Sequence, residues 1–166
     1  NDEARVYAMD VHPNKLGFVR ENAERLGLTA IRLVCGDGCC VPFAEGFDRV
    51  LLDAPCSGLG TIRRHPDLKW RVTADTVVRL AAAQQELLRS AIRLCKNGGI
   101  IVYSVCTFTR EETEDVLHAA LETGQVVPED CPDWLDRWKT QTGTYRTLPH
   151  VDGLDGFFLM RLRKVS

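Results

Sequence analysis

Apolar and polar positions switch period repeatedly along the chain. RVYAMDV is a short apolar run ending at Asp10, and a run of that length bounded by turn signals predicts a buried strand. PNKLGFVRENAERLG changes to a helical period. Pro13 suits a first-turn position, Leu16, Val19, Ala23 and Leu26 share one face, and Gly27 stops the helix. AIRLVCGDG predicts a second strand ending in Asp37, and FDRVLLDAP a third ending in Asp53. Thr73 to Cys95 predicts a long helix lined by Val77, Leu80, Ala81, Leu87, Leu88, Ala91 and Leu94, closed by KNGG. GIIVYSVC is a fourth strand. REETEDVLHAALE is a helix with Thr109 as N-cap and acidic residues in its first turn. DGFFLMRLRK is a final strand, preceded by a loop from Val127 to Asp155.

Strands alternating with helices predict an α/β fold with a mostly parallel sheet flanked by helices, and the 166 residues suit a single domain. In such sheets ligands bind beyond the carboxyl ends of the strands. Aspartate is common at turns, but Asp10, Asp37 and Asp53 recur at three equivalent strand ends, which favours a binding role. Asp10 suits ribose hydroxyls, and Asp37 could accept from an adenine amino group.

Composition narrows the class. Hydrophobic residues make up 45%, which argues for a globular chain over a disordered one. No apolar run reaches about eighteen residues, so no membrane span is expected, and the N-terminus lacks the pattern of a signal peptide. The start at Asn1, without an initiator Met and just ahead of a strand, reads as a piece of a longer chain. The net charge of −2 leaves nucleic-acid affinity to a local patch. Seven cysteines, an odd number without secreted-domain spacing, suggest a reducing, cytoplasmic setting. Cys35, Cys39 and Cys40 lack the second ligand pair of a structural zinc site, so no metal is expected.

Cys56 and Cys106 stand apart from Cys35, Cys39, Cys40, Cys95 and Cys131, which read as small core hydrophobes. Each follows an apolar strand and precedes a turn, which puts both thiols at the ligand edge, facing one pocket. Ser57, Gly58 and Gly60 after Cys56 let backbone approach a ligand closely. A cytosine ring offers C6 to a thiolate once N3 is protonated or hydrogen-bonded, and attack there makes C5 nucleophilic enough to accept a methyl group. A carboxyl group beside the ring supplies the N3 contact, and Asp53 lies three residues before Cys56. A base must then remove the C5 proton so that the thiolate can leave.

The segments DAPCSGLGTIRRHPDLKW, YSVCT and RTLPHVDGLDGFFLMRLRK resemble the Nop/Sun (Fmu) family of S-adenosylmethionine-dependent RNA cytosine-5 methyltransferases, and most closely its bacterial Sun type, which acts on small-subunit ribosomal RNA. The resemblance runs from about Val6 to Lys164. It implies a Rossmann-like class I methyltransferase fold, S-adenosyl-L-methionine as cofactor and ribosomal RNA as partner. It also implies Cys106 as the nucleophile, Cys56 as the thiol assisting release, and Asp53 beside the base and cofactor. Asp10, Asp37 and Lys15 match cofactor positions. The loop SVCTFTREETE departs from the family's usual Ser-Thr-Cys-Ser and Pro-Glu-Glu-Asn, with Val105 and Thr113 replacing polar partners. The Ala-Pro-Gly-Gly-Lys type loop and first strand expected some twenty residues before Asp10 are absent from the sequence. The chain is therefore expected to be the C-terminal part of a catalytic domain, to bind cofactor poorly alone and to leave a sheet gap or pair the strands ending in Asp10 and Asp53.

RRHPDLKWR carries Arg63, Arg64, His65, Lys69 and Arg71 around Trp70. Basic side chains can position phosphates and an aromatic can stack on a base, while the bland alternative tucks Trp70 into the core. Arg146, His150 and Asp152 are expected to close the site. Two competing readings remain: a DNA-type cytosine methyltransferase using Cys56 as nucleophile, and a non-catalytic domain that binds RNA or protein.

Overall fold

The computed structural model describes residues 4–43 and 46–166. They fall in two compact units, Asn1–Phe43 and Ala44–Ser166. In the first, β1 (Val6–Asp10) and β2 (Ile31–Cys35) pair in parallel, with Asp10 opposite Cys35, and α1 (Pro13–Arg25) connects them. Pro13 occupies the first turn, as its missing N–H permits. Leu16 is the buried residue of α1, while Leu26 caps its C-terminus and is exposed. β2 ends at Cys35, so Asp37 lies two residues beyond the strand rather than in it.

The second unit is a five-stranded sheet. β3 (Phe47–Asp53) pairs in parallel with β4 (Cys95–Val105), and β4 pairs antiparallel with β7 (Phe157–Lys164). β7 also pairs antiparallel with β5 (Val126–Pro128) and β6 (Tyr145–Thr147). The sheet is therefore mixed, not mostly parallel, because the chain after β4 returns through β7. β1 and β3 belong to different sheets, so direct pairing of the strands ending in Asp10 and Asp53 is not realised.

Helix α3 (Ala74–Leu94) follows from a clean signal. Thr73 caps it, its side chain accepting the Thr76 amide, and Val77, Ala81, Leu88 and Ala91 form its buried stripe. Leu88, Ile92, Ile101, Tyr103, Phe158, Met160 and Leu162 are almost wholly buried, each large aliphatic contributing roughly 1.5–3 kcal/mol. Tyr103 and Phe158 meet edge to face with centroids 6.4 Å apart. β7 alternates strictly, burying Phe158, Met160, Leu162 and Lys164. The Lys164 ammonium is satisfied by the Cys95 carbonyl at 3.0 Å.

Three local expectations are corrected. KNGG does not close α3; these residues enter β4, whose register with β3 shifts between Phe47 and Arg49. Gly98 has φ +78, and a Cβ on Gly99 would stand 2.6 Å from Cys95 Sγ, so the glycines serve a bulged strand start. The helix after Cys106 is shorter than expected: α4 spans Glu114–Leu121, Thr113 holds the N-cap position, and Thr109 bonds Glu112. The loop Val127–Asp155 contains the end of β5, a 3-10 helix at Asp133–Trp138, β6, and the short helix α5 (Pro149–Asp152). No helix among the described residues is long and apolar enough to cross a membrane.

Candidate active site

Adjacent parallel strands bring the two cysteines together. β3 and β4 run in register with Asp53 opposite Ser104, so Cys56 and Cys106 leave the same sheet edge three and two residues later. Their sulfurs lie 3.4 Å apart. Both thiols are half-buried and free. The Ala54 amide donates to Ser104 O at 3.0 Å, and Ser104 Oγ donates to Asp53 Oδ1 at 3.2 Å. Asp53 is itself exposed at the strand end.

The pair is electrostatically unequal. The hydrogen bond from Cys56 holds Cys106 down to about 7, against burial and the nearby Asp53 and Glu112 charges, which raise it. Cys56 shifts the other way: its hydrogen bond to Cys106, its deeper burial and the charge of Cys106 all favour the protonated thiol. Cys106 is thus the more readily ionised of the two thiols, and the thiolate is the form that attacks electrophiles.

Polar residues absent from the expected site hold this arrangement. Glu112 is fully buried, and its carboxylate accepts from the Ser57 amide, the Ser57 hydroxyl, Gln84, Thr107 and Thr109. Gln84 also donates to the Pro55 carbonyl at 2.9 Å. Tyr103 Oη lies 2.8 Å from Glu112 O and 3.1 Å from Gln84 Oε1. Gln84 could have been suspected, since 77, 81, 84, 88 and 91 form one helical stripe and only 84 is polar. For Glu112 the signal was that Glu111 and Glu112 keep the two glutamates of the Pro-Glu-Glu-Asn pattern.

The loop after Cys56 is fastened as well. Gly60 donates to Cys106 O at 3.0 Å, and Gly156 donates to Gly60 O at 2.8 Å. A Cβ on Gly60 would stand 1.9 Å from Gly156 O, so this crossing admits no side chain. Beyond it, Trp70 is 80% exposed, and Lys69 Nζ lies 4.6 Å from its ring centroid, within cation–π range. That disposes of a core role for Trp70. Arg63 and Arg64 are exposed but engaged: both pair with Asp155, and Arg63 donates to Gly153 O at 3.0 Å. Arg71 pairs with Asp67 at 3.1 Å in α2 (Leu68–Arg71). Arg146 is committed to Glu114 and Thr113, and Asp152 to the Leu148 amide and Trp138. Those two brace the 145–152 segment instead of closing a site, and His150 is exposed.

In the first unit, Asp10 Oδ1 accepts the His12 amide at 2.8 Å, and Oδ2 pairs with Lys15 at 3.4 Å. The His12 amide first, then Lys15, hold the Asp10 carboxyl below its ordinary value, against a small desolvation effect. Asp37 Oδ1 accepts the Cys39 amide at 2.8 Å. An ionised carboxylate at a strand end is an acceptor-only group, and that acceptor chemistry suits the hydroxyl donors of a ribose diol.

Comparison with known proteins gives the family. Residues 1–163 match the family described as 16S rRNA methyltransferase RsmB/F. The chain is 38% identical over 174 residues to a probable ribosomal RNA small subunit methyltransferase B of Bacillus subtilis, covering 98% of this chain and 38% of that protein. It thus spans well under half of that relative's length. Among solved structures it resembles NSun6 from Pyrococcus horikoshii with SFG, with TM-score 0.85, 29% identity, and 99% of this chain and 42% of that one covered. It also resembles a methyltransferase homolog protein from Pyrococcus horikoshii, with TM-score 0.81, 31% identity, and 99% and 54% covered. The α/β fold is that of these class I methyltransferase neighbours, and the chain belongs to the 16S rRNA methyltransferase RsmB/F family.

Proposed function

We propose that the chain is the C-terminal part of a catalytic domain that methylates C5 of a cytosine in ribosomal RNA, in the reducing cytoplasm. The observation that carries the reading is the thiol pair, two sulfurs 3.4 Å apart at one sheet edge beside Asp53, and the lowered Cys106 supports it. The Cys106 thiolate adds to C6 of the cytosine, and Asp53 hydrogen-bonds the ring at N3, for which it takes up a proton or meets one already on the base. When bound, S-adenosyl-L-methionine supplies the methyl group that C5 takes up; Asp10, Asp37 and Lys15 are the residues of the first unit that would hold it. After loss of the C5 proton to a base, the C6–S bond breaks and its electrons return to Cys106. Cys56 assists that release by giving its proton to the departing sulfur. Arg63, Arg64, Lys69 and Trp70 bind the RNA, the cations on phosphates and the indole on a base, and the target base must be unstacked to reach the thiols.

A DNA-type reaction would use Cys56 as nucleophile. The raised Cys56 and lowered Cys106 favour the RNA-type assignment. The test is covalent trapping on RNA containing 5-fluorocytosine with S-adenosylmethionine, using the chain preceded by a glycine-rich cofactor loop. A cross-link lost in Cys106→Ala and kept in Cys56→Ala supports the proposal. The reverse pattern assigns the DNA-type chemistry, and no cross-link in any version assigns a binding module.

A further inference from the structure

Glu112 is a carboxylate in the core, wholly excluded from water, and five neutral donors surround it. Oε1 accepts the Ser57 amide at 2.8 Å and Gln84 Nε2 at 3.0 Å. Oε2 accepts Ser57 Oγ at 2.5 Å, Thr109 Oγ1 at 2.9 Å and Thr107 Oγ1 at 3.2 Å. Burying a carboxylate costs several kcal/mol even when it is hydrogen-bonded, and a well-packed apolar group often stabilises a core as well or better. Stability alone is a poor reason for this residue.

The identity of its partners supplies another. Ser57 directly follows Cys56, and Thr107 directly follows Cys106. Their hydroxyls lie 2.9 Å apart; Ser57 donates to Glu112, and the single Thr107 hydrogen is shared between Ser57 Oγ and the same carboxylate. On the other side of Cys56, Gln84 fixes the Pro55 carbonyl and joins the same carboxylate. Cys56 is thus held through both of its chain neighbours. Cys106 is held by β4 before it and by Thr107 after it.

We infer that Glu112 is the positioning residue of the thiol pair, its carboxylate tying the segments after Cys56 and after Cys106 to one point so that the sulfurs stay within hydrogen-bond distance. Its use in catalysis rests on the methyl-transfer reading above, but the geometry does not. The S–H···S contact needs both loops in register, and a shift of about an ångström takes a hydrogen bond out of range. Cys106 feels the hydrogen bond of the Cys56 thiol and the charges of Asp53 and Glu112, and this gives the inference a sign. Glu112's negative charge, acting alone, raises the Cys106 titration, so removing only the charge lowers it. Releasing the pair removes the larger stabilisation by Cys56 and raises it.

The test reads thiol chemistry without RNA or cofactor. Peptide-resolved alkylation of Cys106 by iodoacetamide across pH gives its midpoint. Phenylarsine oxide gives the proximity of the pair: two S–H bonds and the As=O bond are replaced by two As–S bonds and one water. Glu112→Ala is expected to raise the midpoint by about one pH unit or more, roughly a tenfold loss of thiolate below the new midpoint, and to weaken arsenical capture at Cys56 and Cys106 by a similar factor. Glu112→Gln is expected to restore both, because its amide oxygen accepts from Ser57 and Gln84 while its NH2 donates to the rotated hydroxyls. A folded Glu112→Ala whose midpoint is unchanged or lowered overturns the inference. If that variant does not fold, Ser57→Ala decides: a raised midpoint supports the inference and an unchanged one overturns it. Trapping on 5-fluorocytosine RNA separates the two readings. A wild-type protein that never traps ends the methylation reading, while the thiol shifts still judge Glu112. Equal trapping rates in wild type and Glu112→Ala overturn the positioning role.

Discussion

The Gly60 amide donates to the carbonyl of Cys106 at 3.0 Å, so the loop that follows one cysteine is sewn to the backbone of the other. The join has no room: a Cβ at Gly60 would stand 1.9 Å from Gly156 O and 2.8 Å from Cys106 O. Both obstructing carbonyls are backbone and cannot rotate away. Gly60→Ala is expected to cost more than about 3 kcal/mol, in the class of severe steric substitutions, and urea unfolding measures it. A loss under about 1 kcal/mol would mean the crossing opens at little cost.

The 3.4 Å sulfur separation predicts selective oxidation. With an azodicarboxamide oxidant, the Cys106 thiolate adds to the N=N bond and Cys56 displaces the nitrogen. A disulfide forms and the reagent leaves as the hydrazine with both protons. Peptide mapping after brief treatment should find Cys56 joined to Cys106 before Cys95 or Cys131 reacts, since burial raises both of those thiols. Equal modification of all four would contradict the geometry.

The same pair predicts a stability maximum in pH. Cys106 titrates near 7 when folded, below its ordinary 9.0. From about pH 7 to 9 the folded chain has released a proton that the unfolded chain keeps, so stability rises with pH. Above 9 the sign reverses, because Cys56, Cys95 and Cys131 are raised in the fold and the unfolded chain then binds fewer protons. Urea midpoints at fixed ionic strength check this, and Cys106→Ser should remove the rise while leaving the fall.

Arg63 and Arg64 both pair with Asp155, so RNA phosphates must compete with a carboxylate for them. Asp155→Asn is expected to strengthen RNA binding several-fold and to steepen its salt dependence, by roughly one unit of log–log slope per freed phosphate contact. Weaker binding would mean the arginines serve Asp155 alone. Trp70→Ala, at an 80% exposed position, should leave stability within about 0.5 kcal/mol and weaken RNA binding by about 1–3 kcal/mol.

The approach of Cys56 and Cys106 was legible in the sequence because both follow apolar runs of strand length, and parallel neighbours deliver their loops to one edge. The exposure of Trp70 was legible in the basic run around it, but the pairing of Arg63 and Arg64 was not, because a basic run does not disclose which carboxylate folds back on it. The burial of Glu112 was hidden by its company: within REETE a buried acid looks the same as a solvated one, and only the turn ahead of α4 separates them. The strand direction after β4 was missed for a related reason, since apolar periodicity is the same for parallel and antiparallel pairing. Lys164 followed the alternation of β7 into the core, where a charge-based reading would have left it outside.

β4 is bonded along both edges, to β3 and to β7. Amides of a doubly paired, buried strand exchange with solvent only when the whole unit unfolds. Cys106 is the next residue along that strand, whereas Cys56 hangs from a loop beside β3, the sheet's edge strand. The attacking sulfur therefore takes its position directly from the doubly paired strand, whereas Cys56 depends on the side chains of Gln84 and Glu112 to hold its loop in place.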